Sequence, residues 1–345
     1  MTRWIVGALA LLAGCSDALE QTSSAGQVIG VVNSTDRTLS LIAASDFTVA
    51  TRAYAPAGAA PTTIASLGHV FVVPLGPANA AAVDVLAPPC TNVCPNPDYV
   101  LALPSGSGAT GVAVQDKSIA WIANPNLNTV TRLNYLTGDT ASRGVGVSPQ
   151  AVAIAGSRVF VVNANLASGA PAGPSWLSSF DCCQTTPVDS IPLTGVAARF
   201  AVVGDDSLLY VIASGHAGKA DGTLSIVDPR LRTEIAVLNG LGESPGAAVF
   251  HPSGRLLIAS RTEGILEVYT PTKTLARGPG SGVKPEGDGV SGLAIDLRGH
   301  VYAVAPGSCQ AAGAVHVLAA PPDYGQIRRV TVGVCPASAA VAATP

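Results

Sequence analysis

A run of apolar and β-branched residues, set directly after a turn, recurs about every 40–50 residues along this chain. The instances are VIGVVN from Val28, HVFVVP from His69, SIAWIAN from Ser118, RVFVVNA from Arg158, LLYVIAS from Leu208, RLLIASR from Arg255 and HVYAVAP from His300. A small-residue strand precedes each of the last six, as in AVAIAG before Arg158 and AAVFHP before Arg255. A third strand follows, as in GTLSIVD or GILEVYT, and then a fourth, as in TEIAVLNG or QIRRVTVG. Runs this short, broken by turns and rich in Val, Ile and Thr, read as strands rather than helices.

Four short antiparallel strands in each of seven units describe an all-β fold, a seven-bladed β-propeller. The two ends supply a check. The first unit lacks its innermost strand, and CPASAAVAATP, from Cys335 to Pro345, is left over with the pattern of one. The C-terminal strand is therefore expected to complete the first blade and close the ring, leaving no free sheet edge. Gly 37 and Pro 26 fit a chain of many turns. A net charge of -3 without a long single-sign block gives no nucleic-acid surface, which needs clustered Lys and Arg.

The leader MTRWIVGALALLAGC has a basic Arg3, an apolar stretch from Ile5 to Ala13, and Leu12-Ala13-Gly14-Cys15 at its end. That last group matches the bacterial lipobox, in which small residues admit the peptidase and the cysteine thiol receives the lipid. The competing reading is an ordinary secretory signal with a cysteine there by chance. The expected organisation is a signal peptide over 1–14, a polar tether over 15–26 and the propeller over 27–345. Ser16, where Asp would often signal inner-membrane retention, points to an outer-membrane anchor in the bacterial cell envelope, on its periplasmic or surface side. No later run approaches the roughly 20 apolar residues of a membrane span.

An exported chain keeps disulfides. Besides Cys15 there are Cys90, Cys94, Cys182, Cys183, Cys309 and Cys335, and six cysteines allow fifteen pairings. In a propeller, the loops joining second to third strands share one face with the blade-to-blade entrances. Cys309 and Cys335 fall on that face in neighbouring positions around the ring, so they are expected to pair and to staple the closing strand. Cys90 and Cys94, C-x-x-x-C in a Pro-rich loop of blade 2, suggest a local disulfide. The adjacent Cys182 and Cys183 leave a vicinal disulfide, free thiols or cross-links open. A four-cysteine metal site would need non-adjacent blades to converge, so no metal is expected.

The repeat resembles the YVTN-type β-propeller family, whose units carry a Pro at the blade entrance and an Asn after the second strand. Pro61, Pro149, Pro245 and Pro336 match the first feature; Asn33, Asn124 and Asn163 match the second. The resemblance spans nearly the whole mature chain and implies the fold. It implies little about activity, because this architecture hosts scaffolds, binding proteins and enzymes.

The histidines are scattered. His69 and His300 each begin a second strand, His316 alternates with apolar residues in a third, and His251 lies in a turn whose equivalents mostly lack His. Three charged loops on the entrance face belong to neighbouring blades: His216, Lys219 and Asp221; Arg261 and Glu263; Lys284, Glu286 and Asp288. They are the candidate ligand-binding residues, set against the bland alternative of solvated loops. No catalytic residue is assigned. The Arg-His pair that resemblance to propeller lactonases would require is Gly246-Ala247-Ala248 here, and no nucleophile-elbow or zinc-protease motif occurs. The expectation is a monomeric, lipid-anchored, non-catalytic protein that binds an envelope component or small ligand, without cofactor. A hydrolase at the channel mouth is the alternative, and a subunit of a quinone-dependent dehydrogenase a third.

Overall fold

The computed structural model describes residues 26–55, 60–76, 81–87, 99–183 and 188–344. They form seven four-stranded antiparallel sheets and one two-stranded hairpin. From blade 1 to blade 7 the innermost strands are Pro336–Ala343, Ala65–Leu67, Val112–Val114, Pro149–Ala155, Ala198–Val203, Pro245–His251 and Gly292–Ile295. Each packs beside the next, and the last beside the first, so they ring a central channel. The anticipated seven-bladed propeller is the observed fold.

The ring closes as the leftover strand required. Pro336–Ala343 pairs antiparallel with Gln27–Asn33, from Gln27 opposite Ala343 to Asn33 opposite Pro336. A disulfide joins Cys309 to Cys335 at the entrance to this strand. Beside it, the Ser34 N–H donates to the Cys335 carbonyl at 3.0 Å and the Val334 N–H to Asp36 Oδ2 at 3.0 Å. The expected pairing is present, and it ties blade 7 to the seam.

Burial explains why the repeat was legible. Seven apolar clusters occupy the seven junctions between blades, so a blade's middle strands are covered on both faces. Such strands become continuous apolar runs instead of alternating ones. Ile119–Asn124 is buried at every residue. Outer strands have one wet face and alternate, as in Asp189–Val196. Innermost strands are half-buried and built of small residues because seven of them converge. A Cβ on Gly292 of blade 7 would lie 2.8 Å from Ser338 Cα of blade 1.

Polar residues inside the blades are paired in a repeated way. The Asn33 amide donates to Thr38 Oγ1 and Ser40 Oγ at 3.0 and 2.9 Å. That of Asn124 donates to Thr129 and Thr131 at 3.1 and 2.8 Å, and that of Asn163 to Ser178 Oγ at 3.0 Å. The recurrent Asn thus clasps the second strand to the third, which accounts for the hydroxyl residues that follow it. His251 is buried; its Nε2 lies 3.1 Å from the Gly299 carbonyl, and its Nδ1 2.7 Å from Ser253 Oγ. It links the turn of blade 6 to the turn of blade 7.

Two buried acids differ in their support. Glu267 meets Arg255 Nε at 2.6 Å, Arg277 Nε at 3.7 Å and the Tyr324 hydroxyl at 2.7 Å. Asp84 has only the Tyr54 hydroxyl, which donates to its Oδ2 at 2.6 Å across the blade 1–2 junction. Its Oδ1 has no partner among the described residues. Burial without a cation pushes the Asp84 carboxyl up to about 6. The folded state then holds this proton more tightly than the unfolded chain. The resulting stability is complete below about pH 4 and is lost as pH rises through about 6.

Asp84→Asn is therefore expected to melt above wild type at pH 8 by the equivalent of about 1–3 kcal/mol. At pH 4 the two should melt together. Identical pH profiles would contradict the account of Asp84. Replacing both Cys309 and Cys335 by Ser should lower the stability measured by urea unfolding by about 3 kcal/mol, the scale for a loop of this span. Wild type treated with reductant should fall to the same midpoint.

Candidate functional site

On the entrance face the channel opens into a cavity of about 840 Å³. Residues from six blades line it, among them Ser34, Thr62, Pro171, Phe200, Pro245 and Ser291. This convergence follows from topology: blade entrances and second-to-third strand loops all end here.

Two arginines reach the cavity. Arg199 comes from the innermost strand of blade 5, and Arg261 from just beyond the second strand of blade 6. Both are exposed, and neither guanidinium has an ion pair or hydrogen bond among the described residues. His216 also lines the cavity. Its Nδ1 sits 2.6 Å from Asp221 Oδ2, while its backbone N–H donates to Asp221 Oδ1 at 2.8 Å. The histidine contact is the first cause holding the Asp221 carboxyl below its ordinary value. The preceding Gly215 is needed twice over. Its φ is 75°, and a Cβ would fall 2.0 Å from Asp221 Oδ1.

The remaining sequence candidates lie around the mouth without lining it. Glu263 Oε2 accepts the Gly280 N–H at 3.0 Å. Glu286 accepts from Gln326 Nε2 at 2.7 Å and pairs with Arg329 at 3.1 Å. Asp288 Oδ2 lies 3.3 Å from Nε2 of the fully buried His316, whose Nδ1 meets Gln326 Oε1 at 3.0 Å. Glu286 and Asp288 thus bind the blade 7 entrance to that blade's own outer strands. Lys219 and Lys284 are both exposed in these loops. The structure brings His216 and Arg261 to one cavity and leaves the other six outside it.

Two features of the mouth were not foreseen. One is Arg199, a single charge in the otherwise apolar strand ARFAVV, which is the only mark it leaves in the sequence. The other is a hairpin, Leu166–Ala167 against Ala170–Pro171, within the second-to-third strand loop of blade 4. Its tip, Ser168-Gly169, has φ of 50° and 82°, a primed turn for which the Ser-Gly dipeptide was the available signal. Asn165 clamps the base: its Nδ2 donates to the Pro174 carbonyl at 3.0 Å, and its own carbonyl accepts the Ala172 N–H at 2.8 Å.

Other candidates lie elsewhere. Cys182 and Cys183 occupy the third-to-fourth strand turn of blade 4, with free thiols whose sulfurs are 2.9 Å apart. Burial first, then the Cys183 neighbour, pushes the Cys182 thiol up to about 11. With Asp181 they present three potential metal-binding atoms within 4.8 Å of one another. His69 and His300 stand at strand entrances, with Nδ1 2.9 Å from the Ala343 carbonyl and 3.0 Å from Asp296 Oδ2 respectively. Cys15, Cys90 and Cys94 lie outside the described residues.

No protein-family model matches this chain, and no curated protein sequence matches it. Solved structures do. A functionally unknown protein from Desulfotomaculum acetoxidans DSM 771 matches with a TM-score of 0.67 at 12% identity, over 92% of this chain and 99% of that one. Hydrazine synthase from Kuenenia stuttgartiensis matches at 0.61 and 12% identity, over 81% and 88%. Apo AztD from Citrobacter koseri matches at 0.55 and 11% identity, over 92% and 98%. At these identities the likeness establishes a shared fold and nothing about chemistry.

Proposed function

We propose that this chain is a YVTN-type propeller lipoprotein of the bacterial envelope, acting as a non-catalytic binding protein that takes its ligand at the channel mouth. The observation that carries this reading is the open cavity of about 840 Å³ where six blades converge. Its volume falls in the range of small-molecule sites, about 300–1,000 Å³. The lining supports binding over turnover. Among the described residues it holds no Asp, Glu or Cys, and the hydroxyls of Ser34, Ser214 and Ser291 each donate to a main-chain carbonyl. The Asn clasps of blades 1, 3 and 4 support the YVTN assignment, and Leu12-Ala13-Gly14-Cys15 supports the anchor.

A second reading, hydrolysis at the mouth, is favoured by the His216–Asp221 pair. A carboxylate on Nδ1 leaves Nε2 to act as a base. A screen of envelope metabolites by melting-temperature shift separates the two readings. A ligand that stabilises the protein and is recovered chemically unchanged supports binding. A hit consumed by wild type but not by His216→Ala contradicts it. The anchor has its own check. Wild type should enter the detergent phase of a Triton X-114 separation and take up labelled palmitate, whereas Cys15→Ser should do neither.

A further inference from the structure

We propose that the ligand of the channel mouth carries an anionic group, a carboxylate or a phosphate, held by Arg199 and Arg261 beside an apolar wall. This rests on the reading of the mouth as a binding site and adds the chemistry of its occupant.

Six arginines elsewhere in the described chain sit within 3.7 Å of an acid. Arg158 and Arg232 share Asp189, Arg255 and Arg277 share Glu267, and Arg298 and Arg329 meet Asp296 and Glu286. Acidic residues outnumber basic ones, 22 against 19. Against that background Arg199 and Arg261, unpaired among the described residues, line one cavity whose described lining holds no carboxylate. Two acids in the adjoining loops are engaged. Asp221 is bound to His216, and Glu263 accepts the Gly280 N–H.

The two arginines come from different elements of neighbouring blades, so the fold itself brings them to one opening. Each guanidinium offers a planar fork of donors, the geometry that carboxylates and phosphates accept. The partly enclosed mouth strengthens such contacts relative to open water. Phe200, Pro245, Ala259 and Val290 supply the apolar wall, so an organic anion fits better than a bare one. Gly169, Ala170 and Pro171 of the blade 4 hairpin also line it, which makes the opening a pocket and not a flat charged patch. His216 Nε2 has no partner among the described residues and adds one more polar atom to the same lining.

The test is calorimetric titration of the full chain in non-ionic detergent with benzoate and phenyl phosphate. Benzyl alcohol and benzylammonium serve as neutral and cationic probes. Arg199→Gln and Arg261→Gln are the variants; both side chains are exposed and unpaired, so melting should be unchanged. We expect saturable binding of the anions, weakened about tenfold by each variant and further by raised salt, on the scale of a charge-assisted hydrogen bond. The neutral and cationic probes should bind at least about tenfold more weakly than the anions. Preference between benzoate and phenyl phosphate tells a carboxylate ligand from a phosphorylated one. Anion affinity unchanged in both variants, or a neutral probe bound as tightly, overturns the anionic assignment and leaves the mouth as a binding site. Failure of every probe in wild type overturns both readings.

Discussion

Everything in this molecule depends on one pairing, that of Pro336–Ala343 with Gln27–Asn33. A propeller blade has no core of its own. Its apolar faces are covered only by the blades on either side, as the seven clusters at the seven junctions show. In an open array the two end blades would each expose a face like those clusters. Borrowing the innermost strand of blade 1 from the C-terminus turns the array into a ring, so no junction is left uncovered. The same device joins the chain's ends, which makes unfolding of either end a loss for both. The Cys309–Cys335 bridge reinforces this seam from the neighbouring blade.

Within that ring, polar groups are used in two distinct ways. Inside a blade, Asn33, Asn124 and Asn163 hold strands together with neutral hydrogen bonds that lose little on burial because both partners are paired. Between blades, acids are buried with tyrosine hydroxyls, and their support varies. Glu267 has two arginines, whereas Asp84 has none. The blade 1–2 junction is thus the one where burial of a charge is least compensated among the buried acids described.

The fold was legible because two-sided burial writes uninterrupted apolar runs into the sequence, and because the leftover strand at Cys335–Pro345 matched a gap at the other end. Topology then sorted the cysteines, which is why Cys309 and Cys335 could be paired from sequence. The site was less legible. Charged loops look alike whether they face a ligand or a neighbour. Glu286 and Asp288 are engaged by Gln326, Arg329 and His316, residues some 28 to 43 positions away whose approach only the folded blade defines. Arg199 was hidden for the opposite reason. It sits in a strand that reads as structural, and only the convergence of innermost strands makes an exposed residue there a channel residue. The hairpin at Leu166–Pro171 has four paired residues, too few for a periodic signal.

The cavity, its two unpaired arginines and the His216–Asp221 pair exist because closure fixes where seven entrances meet. Closure is accordingly the claim on which the rest stands. Hydrogen exchange followed by mass spectrometry tests it directly at 336–343. Chain ends ordinarily fray and exchange first. Here the account predicts that the amides of this strand directed at Gln27–Asn33 stay protected, as those of Gln27–Asn33 and Thr38–Ala43 do. Fast exchange at 336–343 while the other blades remain protected would contradict it.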